Sequence, residues 1–217
     1  HVQQKNIQLN KVEILVLDEA DRMLDMGFID DIRKIMQMLP KQRQTLLFSA
    51  TFAPPIRRLA QDFMHQPEEI AVAAQNTAAA SVEQHVIAID TGRKRALLER
   101  LILDLNMSQV IVFCKTKQSV DQVNRELNRR NIAAQALHGD KSQQTRLETL
   151  SAFKDGNLRV LVATDVAARG LDIVELPFVI NYELPTQPED YIHRIGRTGR
   201  AGADGVAISL MDESEQK

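Results

Sequence analysis

The run His193-Arg194-Ile195-Gly196-Arg197-Thr198-Gly199-Arg200 sets three guanidinium groups and an imidazole on a segment made supple by two glycines, with no acidic residue inside it. Arginine keeps its charge and presents a planar fork of donors that fits phosphate oxygens. Glycine lets backbone N–H groups come close to a ligand. A basic run is also a common form of solvated face. Toward the other end, Val12-Glu13-Ile14-Leu15-Val16-Leu17 leads straight into Asp18-Glu19-Ala20-Asp21. One segment offers carboxylates for a metal and the other arginines for phosphate. Together they supply what a nucleotide held between two parts of a chain requires.

Each further motif admits a chemical and a plainly structural reading. Carboxylates at the carboxyl end of a parallel strand stand where open α/β sheets bind ligands. Asp18 there can hold magnesium through water, and Glu19 can polarise an attacking water. Acids are also favoured at any helix N-terminus by the dipole. Ser49 and Thr51, after the next apolar run, can bond Asp21 or cap the helix that begins near Pro54 and Pro55. In Thr164-Asp165-Val166-Ala167-Ala168-Arg169-Gly170-Leu171-Asp172, a threonine at a strand end suits a phosphate and Asp172 a ribose hydroxyl. The same residues would serve as a strand-to-helix turn punctuated by Gly170. His138-Gly139-Asp140, with Gln143 and Arg146 beyond it, can hold a nucleic-acid backbone or simply open an amphipathic helix.

The elements that must position these groups follow from periodicity. Short β-branched runs predict strands near 12–17, 44–48, 69–72, 84–89, 109–113, 133–137, 158–163, 178–181 and 205–210. Helical spacing predicts helices over 28–38, 55–64, 94–105, 117–130, 143–154 and 188–194. Such alternation implies an α/β fold of parallel sheets covered by helices, with most strands buried on both faces. The small, charge-free stretch after Ala73 predicts a linker over 74–82, dividing a first part, 1–73, from a second, 83–217.

Composition is that of a globular chain, 44% hydrophobic and 26% charged, and a formal charge of −2 excludes nucleic-acid binding by bulk charge alone. The single cysteine, Cys114, excludes a disulfide framework and a cysteine-rich zinc site. No apolar run reaches membrane-spanning length, so no membrane association is expected and a cytoplasmic location is. The start at His1 reads as that of a piece of a longer protein.

Taken in order, the motifs resemble those of the DEAD-box RNA helicases, superfamily 2 enzymes built from two RecA-like domains, and the resemblance spans essentially the whole chain. Asp18–Asp21 looks like motif II, Ser49-Ala50-Thr51 motif III, Val112-Phe113-Cys114 motif IV, Thr164–Asp172 motif V and His193–Arg200 motif VI. The residues Arg22–Phe28 look closest to bacterial RhlE-type members. The resemblance implies two RecA-like parallel-sheet domains, the first incomplete, an ATP and Mg2+ requirement, and RNA as partner. It implies that Asp18 positions magnesium and Glu19 activates the water. Arg197 and Arg200 would contact the γ-phosphate, and Asp172 and Gly170 the nucleoside. Asp21, Ser49, Thr51 and His193 would couple ATP state to closure. Thr116, Gln143, Arg146 and Thr164 would face RNA phosphates and sugars. Protein partners would engage through segments outside the chain.

One departure is that no glycine here is followed by lysine, so the G-x-x-x-x-G-K-[ST] phosphate loop is absent from these residues. It is expected upstream of His1, and the chain by itself is not expected to hydrolyse ATP. Two other readings use the same residues: a non-catalytic RNA-binding or protein-docking module, and a DNA-directed superfamily 2 helicase.

Overall fold

The structure is a computed structural model that describes residues 2, 4, 6–49, 52, 54–71, 82–168, 173, 176–199 and 205–215. The chain divides into two compact units, His1–Ala71 and Val72–Lys217. Residues 74–81 of the expected linker, with Thr51, Gly170, Asp172 and Arg200 of the expected site, lie outside the described residues. Val82 is described, and it is already the buried first residue of a strand. Among the described residues no helix is long and apolar enough to cross a membrane.

In the first unit β1 (Ile14–Leu17) pairs in parallel with β2 (Gln44–Leu47), Leu17 standing opposite Leu47. Helices α1 (Ala20–Asp25) and α2 (Ile29–Gln37) follow β1, and α3 (Pro54–Phe63) follows β2. Gly27, at φ +74°, makes the left-handed turn between α1 and α2 that a side chain would resist. Leu17, Ala20, Ile32, Leu39, Ile56 and Leu59 are buried. One expectation fails here. Residues 69–71 form no strand, and Ile70 is 77% exposed. An apolar run becomes a strand only where a neighbour supplies its hydrogen bonds, and the described residues give it none. β1 is an exception to the burial expected of most strands: Ile14 and Val16 lie on an exposed side.

The second unit is a six-stranded sheet in the order β3-β8-β7-β4-β6-β5, parallel throughout. Its strands are β3 (Val82–Ala88), β4 (Val110–Phe113), β5 (Ala134–Leu137), β6 (Val160–Ala163), β7 (Phe178–Asn181) and β8 (Gly205–Met211). Its helices are α4 (Lys94–Asp104), α5 (Lys117–Arg129), α6 (Gln143–Lys154), α7 (Asp165–Ala168) and α8 (Pro188–Ile195). Alternation along each strand builds a core on both faces. Val110, Val112, Val160 and Val162 pack with Leu98 and Ile102 of α4 and Val120, Val123 and Leu127 of α5. Ile111, Phe113, Leu161 and Ala163 pack on the other face with Phe153 of α6 and Ala167 and Ala168 of α7. Cys114 belongs to the first cluster, and burial holds its thiol well above the ordinary range.

The topology singles out one edge. From β4 the chain passes through α5 to β5 on one side, whereas from β7 it passes through α8 to β8 on the other. Neighbouring strands whose connections diverge leave a crevice at their carboxyl ends, the usual ligand site of such sheets.

Behind that edge lies a buried ionic lock. The Lys94 ammonium, with a side chain 2% exposed, sits 2.6 Å from Glu215 Oε2 and 3.0 Å from Asp212 Oδ2. Glu215 Oε1 also accepts from Lys115 Nζ at 3.0 Å and from the Leu184 N–H at 2.8 Å. Hydrogen bonds from Ser214 and Lys94 hold the Asp212 carboxyl far below the ordinary range. Burial opposes a similar shift at Glu215, but its bonds from Lys94, Lys115 and Leu184 prevail. Lowered folded values mean that this stability is complete above the unfolded carboxyl range near about 4 and disappears as pH falls through the folded values. The thermal midpoint should therefore drop steeply in acid. Asp212→Asn should lower it at pH 6, and the gap from wild type should narrow as pH falls. A gap independent of pH would remove Asp212 from the acid response.

Candidate functional site

At the end of β1 the chain turns sharply. Glu19 is left-handed, φ 51° and ψ 49°, and its N–H donates to Asp18 Oδ1 at 2.9 Å. A non-glycine residue held there costs about 1–3 kcal/mol, strain that concentrates at functional sites. The loop is fastened to the end of β2: Phe48 N–H donates to Leu17 O at 2.8 Å and Ala20 N–H to Phe48 O at 3.0 Å. Asp21 N–H reaches Ser49 Oγ at 3.3 Å, which brings together two of the expected coupling residues. Although Glu19 is the N-cap of α1, its carboxylate makes no capping bond, and both Asp18 and Glu19 are exposed. The dipole reading of these acids therefore lacks its usual hydrogen bond. A hydrated magnesium ion asks little of the protein beyond one such carboxylate, so Asp18 fits that group.

In the second unit the basic run splits. Arg194 is buried and clamped bidentately by Asp165, Nε to Oδ1 at 2.6 Å and Nη2 to Oδ2 at 2.7 Å. Its Nη1 donates to Asn181 Oδ1 at 3.1 Å and Glu183 O at 2.6 Å, and its guanidinium stands 5.1 Å from the Phe113 ring centre. The run holds no acidic residue of its own, yet Arg194 is neutralised. A carboxylate 29 residues away in sequence, delivered by β6, pairs it. Arg194 is thus the post that joins the carboxyl ends of β4, β6 and β7, and its Nε, Nη1 and Nη2 are all engaged within the protein rather than turned toward a phosphate.

Beyond that post the chain turns back toward solvent. The Arg197 carbonyl accepts from Leu176 N–H at 3.0 Å, and Thr198 Oγ1 donates to the Leu176 carbonyl. Gly199 is left-handed at φ +65°. A Cβ on Gly205 would collide with Thr198 Oγ1 and the Gly199 backbone, so the turn depends on that glycine. Arg197 is therefore half-buried on a backbone pinned at both of its neighbours, and His193 is exposed on the last turn of α8.

The four residues expected to face RNA sit at the ends of β4, β6 and β5, adjacent strands in the sheet. Thr116 is exposed and caps α5, accepting from Ser119 N–H at 3.0 Å. Gln143 is exposed at the start of α6, its Oε1 3.4 Å from Arg146 Nη1. Arg146 is half-buried with Nε enclosed and without a hydrogen-bond partner. Thr164 is the exception, for it is buried, and its carbonyl accepts the Ala167 and Ala168 N–H groups that open α7. Residues that the motif reading passed over hold this edge together. Ser142 caps α6 through Thr145 N–H at 3.1 Å, and Glu183 bonds Lys115 N–H at 2.6 Å and Ser119 Oγ at 2.7 Å. A Ser two residues after Asp140 and just before a helical pattern is a readable cap signal. Glu183 leaves no local signal.

A doubly wound sheet with an arginine-bearing turn at its carboxyl edge, preceded in the chain by a strand that leads into Asp-Glu-Ala-Asp, defines a chain of the helicase class. Residues 93–202 match the helicase conserved C-terminal domain and residues 1–59 the DEAD/DEAH box helicases. The chain belongs to the DEAD-box helicase family. It is 49% identical over 216 residues to the ATP-dependent RNA helicase CshA of Listeria monocytogenes, covering 99% of this chain and 41% of that protein. The DEAD-box ATP-dependent RNA helicase CshA of Bacillus subtilis is 45% identical, with 44% of its length covered. The chain thus spans less than half of these relatives. Among solved structures, S. cerevisiae Dbp5 bound to RNA and ADP BeF3 superposes with TM-score 0.86 at 34% identity, over 98% of this chain and 56% of that one. A DEAD box protein from Methanococcus jannaschii superposes at 0.60 with 40% identity, over 99% and 58%. These relatives give no support to the RhlE-type likeness drawn from Arg22–Phe28; they are CshA proteins.

Proposed function

We propose that the full-length protein is an ATP-dependent RNA helicase acting in the cytoplasm, and that this chain contributes part of its ATP-binding domain (1–73), a linker (74–82, whose last residue Val82 already opens β3) and its C-terminal domain (83–217). Asp18 would hold Mg2+ through water, and the ion would neutralise phosphate charge. Glu19 orients the attacking water and takes its proton. Arg197 and Arg200 bear on the γ-phosphate, and Asp172 and Gly170 on the nucleoside. Asp21, Ser49, Thr51 and His193 couple nucleotide state to closure. Thr116, Gln143, Arg146 and, more narrowly, Thr164 take RNA phosphates and sugars, contacts that carry no base information.

The observation that carries this reading is the strained, uncapped Glu19 at a parallel strand's carboxyl end, held there by bonds to the neighbouring strand's loop. A non-catalytic module would have no use for that strain. Strand displacement tests it: the full-length protein with Mg-ATP should separate a short RNA duplex and leave the matching DNA duplex paired. Failure on RNA, or equal action on both, overturns the proposal. The 217-residue chain alone should bind single-stranded RNA weakly, more weakly as salt rises, and no tighter with Mg-ATP.

A further inference from the structure

The β5–α6 connection, His138 to Ser142, is bound to helix α5 rather than to its own strand edge. His138 is buried, and its Nε2 lies 3.1 Å from Asp121 Oδ1 on α5. Its Nδ1 accepts the Asp140 N–H at 3.4 Å, which leaves Nε2 as the protonated nitrogen that donates to Asp121. The same Asp121 oxygen takes Lys141 Nζ at 3.0 Å. From the other side, Lys117 Nζ on the first turn of α5 reaches Asp140 Oδ1 at 2.5 Å, its stem 3.8 Å from where a Cβ on Gly139 would stand. Burial would raise the Asp121 carboxyl, but the bonds from His138 and Lys141 outweigh it and hold the group ionised.

Three ties therefore join α5, which begins one residue after Thr116, to the loop that ends one residue before Gln143. The Lys117–Asp140 tie is solvent-exposed, and Lys141–Asp121 is a half-exposed bond made by a long, flexible ammonium stem, so both fix geometry weakly. The His138–Asp121 bond is charge-assisted and made by a rigid imidazole that is itself buried, so it is the one able to set the spacing. The geometry points to His138 and Asp121 as positioning residues for RNA: their bond holds Thr116 at the N-cap of α5 and Gln143 and Arg146 on α6 as one pre-arranged phosphate-binding surface. Neither residue touches the nucleic acid. Its effect is to remove the ordering cost that a loose loop would add to binding.

This inference rests on the RNA reading of that edge, and the experiment separates the two. Single-stranded RNA is titrated into the full-length protein across a salt series, with thermal midpoints recorded for each variant. Arg146→Ala should weaken binding and flatten the log–log salt slope by about 0.7, the loss of one phosphate contact on a single strand. His138→Ala should weaken binding by about tenfold, the size of a lost charge-assisted hydrogen bond, with the slope unchanged because the phosphate contacts still form. His138→Gln, whose amide can still donate to Asp121, should restore affinity. His138→Asn, which keeps an acceptor for Asp140 N–H but falls short of Asp121, should not.

If Arg146→Ala leaves affinity and slope intact, the edge does not face RNA and both readings fall. If Arg146→Ala behaves as expected but folded His138→Ala binds like wild type, or loses slope as a contact would, the positioning role alone is overturned. Should His138→Ala not fold, the Gln and Asn variants decide, and equal affinities for those two overturn it.

Discussion

Glu19→Gln is expected to cut ATP hydrolysis by the full-length protein about a hundredfold to ten-thousandfold, the range of general-base catalysis, while ATP binding persists. The amide matches the carboxylate in size but cannot accept the proton of the attacking water. Structure makes this a clean substitution. The Glu19 side chain is exposed and makes no capping bond, and what fastens the loop is backbone: Ala20 N–H to Phe48 O and Phe48 N–H to Leu17 O. The left-handed backbone at residue 19 is no worse for glutamine than for glutamate. Stability should therefore hardly move. The check is steady-state hydrolysis with saturating RNA beside a binding titration with a fluorescent ATP analogue. Turnover at the wild-type rate would remove Glu19 from the chemistry. Loss of nucleotide binding would show that its part is structural.

The second large effect separates two arginines three residues apart. Arg194→Met keeps length and loses charge, leaving the Asp165 carboxylate, the Asn181 amide oxygen and the Glu183 carbonyl without their donor. Removing one partner of a buried ion pair costs about 3–5 kcal/mol. The Asp165 side chain keeps 20% of its exposure and can recruit water, which argues for the lower end. About 3 kcal/mol corresponds to a fall of roughly 10 °C in the melting of a unit of this size. Arg197→Lys should do the reverse. Lysine keeps the positive charge, and the Arg197 carbonyl bond to Leu176 N–H is made by the backbone, so melting should fall less than in Arg194→Met. Hydrolysis should nonetheless drop about a thousandfold or more, because an ammonium cannot reproduce the planar fork of an arginine finger. A fully stable Arg194→Met with poor hydrolysis would turn Arg194 into a phosphate ligand. Normal turnover by Arg197→Lys would take the γ-phosphate role from Arg197.

Much of the fold was legible because its signals are local. Apolar residues at helical spacing placed α4, α5 and α6 within a residue of their observed ends, and the unbroken apolar runs of β4 and β6 announced strands covered on both faces. Helices α1 and α7 escaped, being six and four residues long, too short for a period of 3.6 to declare itself. The run at 69–72 was misread for the opposite reason: its composition suits a strand, but pairing depends on a neighbour that composition does not report.

For the candidate site, the order of residues along the chain establishes which chemical groups are present and how they follow one another. That order was enough to recognise the family, because motif identity is a property of neighbouring residues. What each group is available to do depends on how the elements pack in space. Arg194 and Arg197 are the same residue type in one basic run, yet β6 carries Asp165 to the first of them and the turn holds the second at the surface. His138 and Asp121 are ordinary polar residues 17 positions apart until α5 packs against the end of β5. Charge pairing and burial depend on through-space distances of a few ångströms, and those distances are set by strand order and helix packing, which no local stretch of residues encodes.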